Sequence, residues 1–286
     1  MKKVRKAIFP VAGLGTRLLP ATKTMPKEML TVVDRPLIQY AVDEAREAGI
    51  EQMIFITGRG KSSLVDYFDL GFELEAMMER AGKSLEPLTP ARAGSGEIVS
   101  VRQQQALGLG HAVWCARAVV GDEPFAVLLP DDLMVGQPGA LKQMVDAYAE
   151  LGGNIVCAQE VAADRTGSYG IITPGENRGA ATEVKGLVEK PKPEEAPSRL
   201  GVVGRYILQP EVMAILEKGE RGAGGEIQLT DAMAQLIGKQ PFHGLKVDAV
   251  RHDCGDKAGF VLANLAIALD RDDLRPKIEE FLASRG

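Results

Sequence analysis

The sequence predicts an α/β protein built on an open sheet doubly wound with helices. Three observations predict it. An apolar run, an amphipathic helix and a second apolar run follow one another within the first 57 residues, the sequence form of a right-handed crossover. Apolar runs and helical periodicity then keep alternating to Gln159. The composition, with 45% hydrophobic and 26% charged residues, is that of an ordinary globular chain and excludes a disordered or fibrous one.

The first strand is the buried run Ala7 to Val11, which feeds a glycine-bearing loop; Pro10 weakens that assignment because proline cannot donate to a ladder. From Pro36, residues Leu37, Ile38, Ala41, Val42, Ala45 and Ala48 share one helical face, with proline suited to the first turn and Gly49 to the end. Met53 to Thr57 is the second strand. Strands follow at Ile98–Gln103, Phe125–Leu129 and Asn154–Gln159, with helices at Gly110–Val120 and Gly139–Leu151 between them. Residues 71–96 break the rhythm, helical at Phe72–Ala81 and then loop-like through Pro87, Pro90, Gly94 and Gly96. This stretch reads as an insertion, a lid or a contact surface. Beyond Ala163 come strands at Gly170–Thr173, Glu183–Glu189 and Val202–Leu208, then helices at Glu211–Lys218, Ile227–Ile237, Ala258–Leu269 and Asp273–Ser284. No repeat, low-complexity linker or charge block marks a boundary.

Charge and cysteines narrow the function classes. Against 34 basic residues stand 39 acidic ones, a net charge of −5, so the surface as a whole repels nucleic acid and anionic membrane. An anionic ligand needs a local site. Cys115, Cys157 and Cys254 are far apart and form no CxxC pair, which argues against a disulfide framework and a structural zinc site. The apolar stretch after Met1-Lys-Lys is cut by Pro10 and Gly13, too short for a signal peptide, and none approaches the ~18 residues of a membrane span. A cytoplasmic location is expected.

The segment Val11-Ala12-Gly13-Leu14-Gly15-Thr16-Arg17-Leu18 follows the first strand, where an open α/β sheet places ligands beyond its carboxyl ends. Two glycines let the backbone approach phosphate and present N–H groups, and Arg17 adds a charged fork. GxxxxGK[ST] is absent and Leu18 replaces the third glycine of the dinucleotide fingerprint, so neither of those loops is present. Taken alone, a GxG is as well read as a plain structural turn. The continuation Leu19-Pro20-Ala-Thr-Lys23-Thr-Met-Pro26-Lys27-Glu28 changes that. Here the chain resembles the nucleotidyltransferases that make nucleotide sugars, with their GxGTRLxP loop and following Pro-Lys pair. Further matches follow in family order: Gln103 with Leu107-Gly-Leu-Gly-His111, Leu129-Pro-Asp131-Asp132, Ser168-Tyr-Gly170, Val188-Glu-Lys-Pro191, Gly201 to Tyr206, Gly225-Glu-Ile-Gln-Leu-Thr-Asp231 and Asp253-Cys-Gly255.

The resemblance spans nearly the whole chain. It implies one Rossmann-like domain over residues 1–286, a doubly wound mixed sheet of the nucleotide-diphospho-sugar transferase type, with 71–96 inserted and 257–286 forming C-terminal helices. It also implies a homo-oligomer, dimer or tetramer. The implied reaction converts UTP and glucose 1-phosphate to UDP-glucose and pyrophosphate. Charges about 5 Å apart repel by roughly 3 kcal/mol at an effective dielectric near 20, so two anionic reactants need cations and fixed geometry more than acid–base machinery.

By resemblance, Arg17 and Lys27 serve the triphosphate, with Gly15 and Thr16 in the binding loop, and Lys190 holds the attacking sugar phosphate. Asp131 and Asp253 are the magnesium ligands; Asp131 also stands at a strand's carboxyl end, and Mg2+ needs few carboxylates when phosphates complete its shell. Gln103, Gly108, Ala12, Gly13 and Glu28 are assigned to uracil, and Glu189 with the backbone of Gly170, Val203 and Gly204 to glucose. Asp256 precedes a helix and reads as an N-cap, Asp132 is ambiguous, and His111 as an acid or base is disfavoured by its place near a helix start. Unaided by the resemblance, Lys27 and Arg17 would be solvated charges and Glu189-Lys190 an exposed pair worth about 0 to 1 kcal/mol. Three other readings compete: a thymidylyltransferase, since one methyl is worth only about 1 kcal/mol, although Glu28, the Leu107-Gly-Leu-Gly-His111 run and Leu129-Pro-Asp131-Asp132 look like the uridine branch; a non-catalytic nucleotide-sugar sensor, against which Arg17, Lys27, Asp131, Lys190 and Asp253 together argue; and a dehydrogenase, which rests on the GxG loop alone and for which Asp34 stands in the wrong place, before the first helix rather than at the second strand's end.

Overall fold

The structure is a computed structural model and describes residues 1–285. In chain order the first elements are β1 (Lys6–Pro10), β2 (Thr31–Val32), β3 (Arg35–Pro36), α1 (Leu37–Glu47), β4 (Gln52–Thr57), α2 (Ser62–Asp66), α3 (Phe72–Arg80) and β5 (Ile98–Arg102). Then come α4 (Leu109–Cys115), α5 (Arg117–Val120), β6 (Phe125–Leu128), β7 (Asp132–Val135), α6 (Ala140–Leu151) and β8 (Asn154–Glu160). The remainder comprises β9 (Gly170–Arg178), β10 (Ala181–Glu189), β11 (Leu200–Leu208), α7 (Val212–Leu216), α8 (Leu229–Ala234), β12 (Phe242–Leu245), β13 (Val250–Asp253), α9 (Lys257–Leu269) and α10 (Arg275–Ala283).

A nine-stranded mixed sheet runs in the order β5-β4-β1-β6-β11-β8-β12-β10-β9. The run β5-β4-β1-β6 is parallel, and β11 lies antiparallel to both β6 and β8. Helices α1, α2 and α6 supply one apolar cluster, around Ile38, Leu64 and Leu141. Helices α4, α5, α7 and α8 supply another on the opposite face, around Val113, Val120, Met213 and Met233. This is the doubly wound arrangement that the alternating pattern predicts. Because β4 lies on one side of β1 and β6 on the other, the strand order reverses at β1 and opens a crevice at its carboxyl end. Pro10 is tolerated because it ends β1, beyond the last residue paired to β6, Ile8.

Several predicted boundaries shift. The helix expected over Gly110–Val120 breaks at Ala116 into α4 and α5, and the one expected over Ile227–Ile237 contracts to α8. The ribbon β7–β13, the strand β12 and the hairpin β2–β3 lacked periodic signals long enough to read. The segment between β4 and β5 is tied down: Arg46 of α1 donates to Pro90 O, Arg92 O and both Glu97 carboxylate oxygens, and Arg92 pairs with Glu75 at 2.6 Å.

The strand β11 carries a bulge. On its β8 side it pairs Val203 with Cys157, then resumes at Tyr206 with Val156, leaving Gly204 and Arg205 without partners on β8. Arg205, 1% exposed, turns into the helix layer and meets Glu44 at 2.6 Å, and its Nη1 donates to Leu129 O and Gly204 O. The pair thus joins α1 to the bulge and to the end of β6. Truncating Glu44 to Ala leaves a buried guanidinium unpaired, so we expect a loss of about 3 to 5 kcal/mol in urea unfolding; a loss below about 1 kcal/mol would show that the pair is dispensable.

Candidate active site

At the reversal of strand order the loop after β1 meets the segment after β6. Gly15 is left-handed at φ 66°, and a side chain there would press on Lys27 and Thr22 at 3.2 Å. Thr22 Oγ1 donates to Gly15 O at 2.7 Å, and Thr16 opens a short 3-10 turn that carries Arg17. A second such turn, Lys27–Met29, brings Lys27 Nζ to 2.5 Å from Asp131 Oδ2. Burial opposes the charge on Lys27, but the Asp131 and Glu28 carboxylates outweigh it and hold the ammonium above its ordinary range. Asp131 shows the converse. Burial would raise it, yet Lys27 keeps its carboxyl below the usual range.

Asp253 arrives through pairing that the sequence does not announce. β13 lies antiparallel to β7 with Asp253 opposite Asp132, and Cys254 N donates to Asp131 O at 2.7 Å. The two acids flank Gly255. A Cβ there would sit 3.1 Å from Asp131 Oδ2, 3.0 Å from Asp253 Oδ1 and 2.7 Å from Arg17 Nη2, so glycine keeps this cradle open. Two hard carboxylate oxygens converging beside an arginine fit magnesium that takes its other ligands from phosphate and water. Among the described residues no cluster of three or more metal-binding side chains occurs. Asp256 caps α9 by accepting from Gly259 N at 2.8 Å.

Asp132, in contrast, points inward. Its Oδ2 accepts from Gly204 N at 2.9 Å and its Oδ1 accepts from Arg251, whose Nη1 donates to Tyr169 OH at 3.1 Å. A Cβ on Gly204 would lie 2.5 Å from Asp132 Cβ. Asp132 is therefore a brace for the bulge. Val203, 2% exposed, turns its side chain into the core, so only its backbone is available to a ligand.

In the same cleft as the acids, β9 and β10 pair Gly170 with Glu189, and Lys190 N donates to Tyr169 O at 2.9 Å. Lys190 has φ 46°, an uncommon left-handed backbone just before Pro191; such strain gathers where a side chain must be aimed. Its Nζ lies 3.3 Å from Glu189 Oε1. Glu189 Oε2 and Thr230 Oγ1 converge over Gly170, 3.3 and 3.0 Å from where a side chain would begin. A cleft of about 310 Å³ is lined by Arg17, Asp131 and Asp253 together with Gly170, Glu189, Lys190 and Gly204.

The base-assigned residues lie outside that cleft. Gln103 follows β5, and its Nε2 donates to Gly108 O at 3.2 Å and meets His111 Nδ1 at 2.9 Å. Gly108 has φ 105°, and a Cβ there would stand 2.8 Å from Ile227 O, so packing on the segment before α8 demands glycine. Gly13 is exposed and Ala12 half-buried at the loop start. Glu28 is enclosed: Oε2 takes Lys61 at 2.9 Å, Oε1 has no partner among the described residues, and burial raises its carboxyl against the pull of Lys61 and Lys27.

Sequence reasoning assigned no role to Thr230, Arg251, Tyr169 and Lys61. Thr230 lies inside the matched run Gln-Leu-Thr-Asp231, where a closer reading could have found it. Arg251 and Lys61 carry no local signal.

The chain is similar to known proteins over most of its length. Residues 6–268 match the model of the nucleotidyl transferase family. A UTP--glucose-1-phosphate uridylyltransferase of Komagataeibacter xylinus is 53% identical over 90% of this chain and 91% of its own. The like-named protein of Bacillus subtilis (strain 168) is 47% identical over 99% and 97%. Among solved structures, a UTP-bound UGPase from Acinetobacter baumannii superposes with a TM-score of 0.88 at 41% identity, covering 98% of this chain and 99% of that one. A UDP-glucose pyrophosphorylase complexed with UDP-glucose gives 0.84 at 43% identity, over 94% and 100%. With a loop and two acids meeting where the strand order reverses, and with relatives alike over nearly their full length, this chain belongs to the nucleotidyl transferase family.

Proposed function

We propose that the chain joins UTP to glucose 1-phosphate, yielding UDP-glucose and pyrophosphate. One observation carries the reading: a single cleft sets Arg17 and the Asp131–Asp253 pair against Glu189 and Lys190. A phosphate oxygen of glucose 1-phosphate attacks the α-phosphorus of UTP; the bond from that phosphorus to the β,γ-bridged leaving group breaks, and pyrophosphate departs with its electron pair. Lys190 holds the attacking phosphate, and Arg17 and Lys27 offset the charge that grows on the departing one. Gly15 and Thr16 offer backbone N–H groups to the triphosphate. Gln103, Gly108, Ala12, Gly13 and Glu28 take the uracil; Glu189 and the backbone of Gly170, Val203 and Gly204 take the glucose. Asp131 and Asp253 would hold Mg2+, which supplies phosphate-charge neutralisation when bound.

We also propose that the chain works as one domain, a reading supported by strands from both halves sharing one sheet, and that it acts in the cytoplasm. No helix of the described residues is long and apolar enough to cross a membrane. The exposed Val261, Leu262, Phe281 and Leu282 of α9 and α10 support a contact between copies.

Incubation with each nucleoside triphosphate, glucose 1-phosphate and magnesium decides the matter. Pyrophosphate and UDP-glucose are expected from UTP. A greater rate with dTTP would move the assignment to the thymidylyltransferase branch, and silence with UTP would leave the sensor reading.

A further inference from the structure

Gln103 is held in one of its two amide orientations. Gly108 O can only accept, so the atom facing it is Nε2, and the same nitrogen lies 2.9 Å from His111 Nδ1. An amide nitrogen has nothing to accept with. His111 Nδ1 must therefore carry a lone pair, which makes the ring the neutral Nε2–H tautomer. Burial and the nearby Arg117 hold its pKa below the ordinary value, in keeping with that state. The ring is itself fixed, stacked on Trp114 with centroids 5.8 Å apart, and Trp114 carries the Arg117 guanidinium 3.5 Å above its ring. With both N–H groups engaged, Gln103 has only its Oε1 to offer, and that oxygen has no partner among the described residues.

We infer that His111 is a specificity-determining positioning residue, which sets the preference for uracil over cytosine by locking the Gln103 amide with its oxygen toward the base. The inference rests on the reading of Gln103 as the group that meets the base. Uracil presents an N3–H donor there, which Oε1 accepts. Cytosine presents an N3 lone pair, and the two acceptors repel. To take cytosine, Gln103 would have to turn its amide, setting Oε1 against the Gly108 carbonyl, which can only accept, and forcing the His111 proton from Nε2 to Nδ1. The lock thus works against the wrong base as well as for the right one. His111 need touch no substrate and move no proton.

The test is the ratio of kcat/KM for UTP to that for CTP, with glucose 1-phosphate as co-substrate. His111→Ala removes one of the two acceptors, and the ratio is expected to fall about tenfold, the size of one hydrogen bond. His111→Asn, whose Oδ1 can replace Nδ1 as acceptor, is expected to restore most of it. A merely structural role would lower both nucleotides together and leave the ratio unchanged, and that result overturns the inference. Gln103→Ala separates the two levels. If it collapses the ratio while His111→Ala does not, base reading stands and the lock fails; if it too leaves the ratio unchanged, Gln103 is not the reader and the lock falls with it. A measurement on the unaltered protein removes dependence on variant folding. The chain has 3 histidines, so long-range proton–nitrogen spectra can resolve His111. An unprotonated Nδ1 is expected at neutral pH, and a proton on Nδ1 would overturn the lock.

Discussion

Asp131→Asn is expected to lower turnover by about a thousandfold, near 4 kcal/mol, with the fold intact. The substitution keeps the side chain's shape and an acceptor for Lys27, and it leaves the backbone bond from Cys254 N to Asp131 O in place. What disappears is charge. Lys27, now balanced at 2.5 Å by a carboxylate, would face a neutral amide, and Asp253 would stand alone beside Gly255. Residual activity should therefore demand far more magnesium than the parent. Steady-state rates across a magnesium titration, with thermal melts as control, check this; parental turnover at limiting magnesium would remove Asp131 from the metal site.

Lys190→Ala should split binding from turnover. We expect kcat/KM for glucose 1-phosphate to drop about a hundredfold, near 3 kcal/mol, the worth of a charge-assisted bond to phosphate. UTP affinity measured by calorimetry should stay within about twofold, because Lys190 follows β10 and belongs to a different segment from the glycine loop after β1. Losing the ammonium also frees Glu189, 3.3 Å away, to repel an incoming phosphate. Matched losses for both substrates would mean that Lys190 contacts the triphosphate as well.

Much of this site can be read in the sequence because its parts follow buried runs. The loop from Gly13 to Arg17 comes straight after β1, and Asp131 follows β6, whose four residues are all buried. A continuous apolar run signals a fully covered strand, and the residues past its carboxyl end must lie in the crevice. The Asp256 cap was legible for a like reason, as capping is settled within four residues. Asp253 was different. The short strand before it holds an exposed Val250 and the charged Arg251, and nothing in that run names β7 as its partner. Ala116 shows the limit for helices, since the apolar face continues across the break between α4 and α5.

The sequence by itself determined the alternating α/β architecture, the glycine loop and the acid at the end of β6, because local periodicity and strand ends report which faces are covered. Only the tertiary structure decided that Asp253 joins Asp131 across 122 residues, that Arg205 reaches Glu44 across 161, and that Asp132 braces the bulge. Those choices depend on strand register and on which buried charges can find each other. Such long-range pairings leave no period in the chain, since a carboxylate looks the same in sequence whether it meets an arginine, a metal or water.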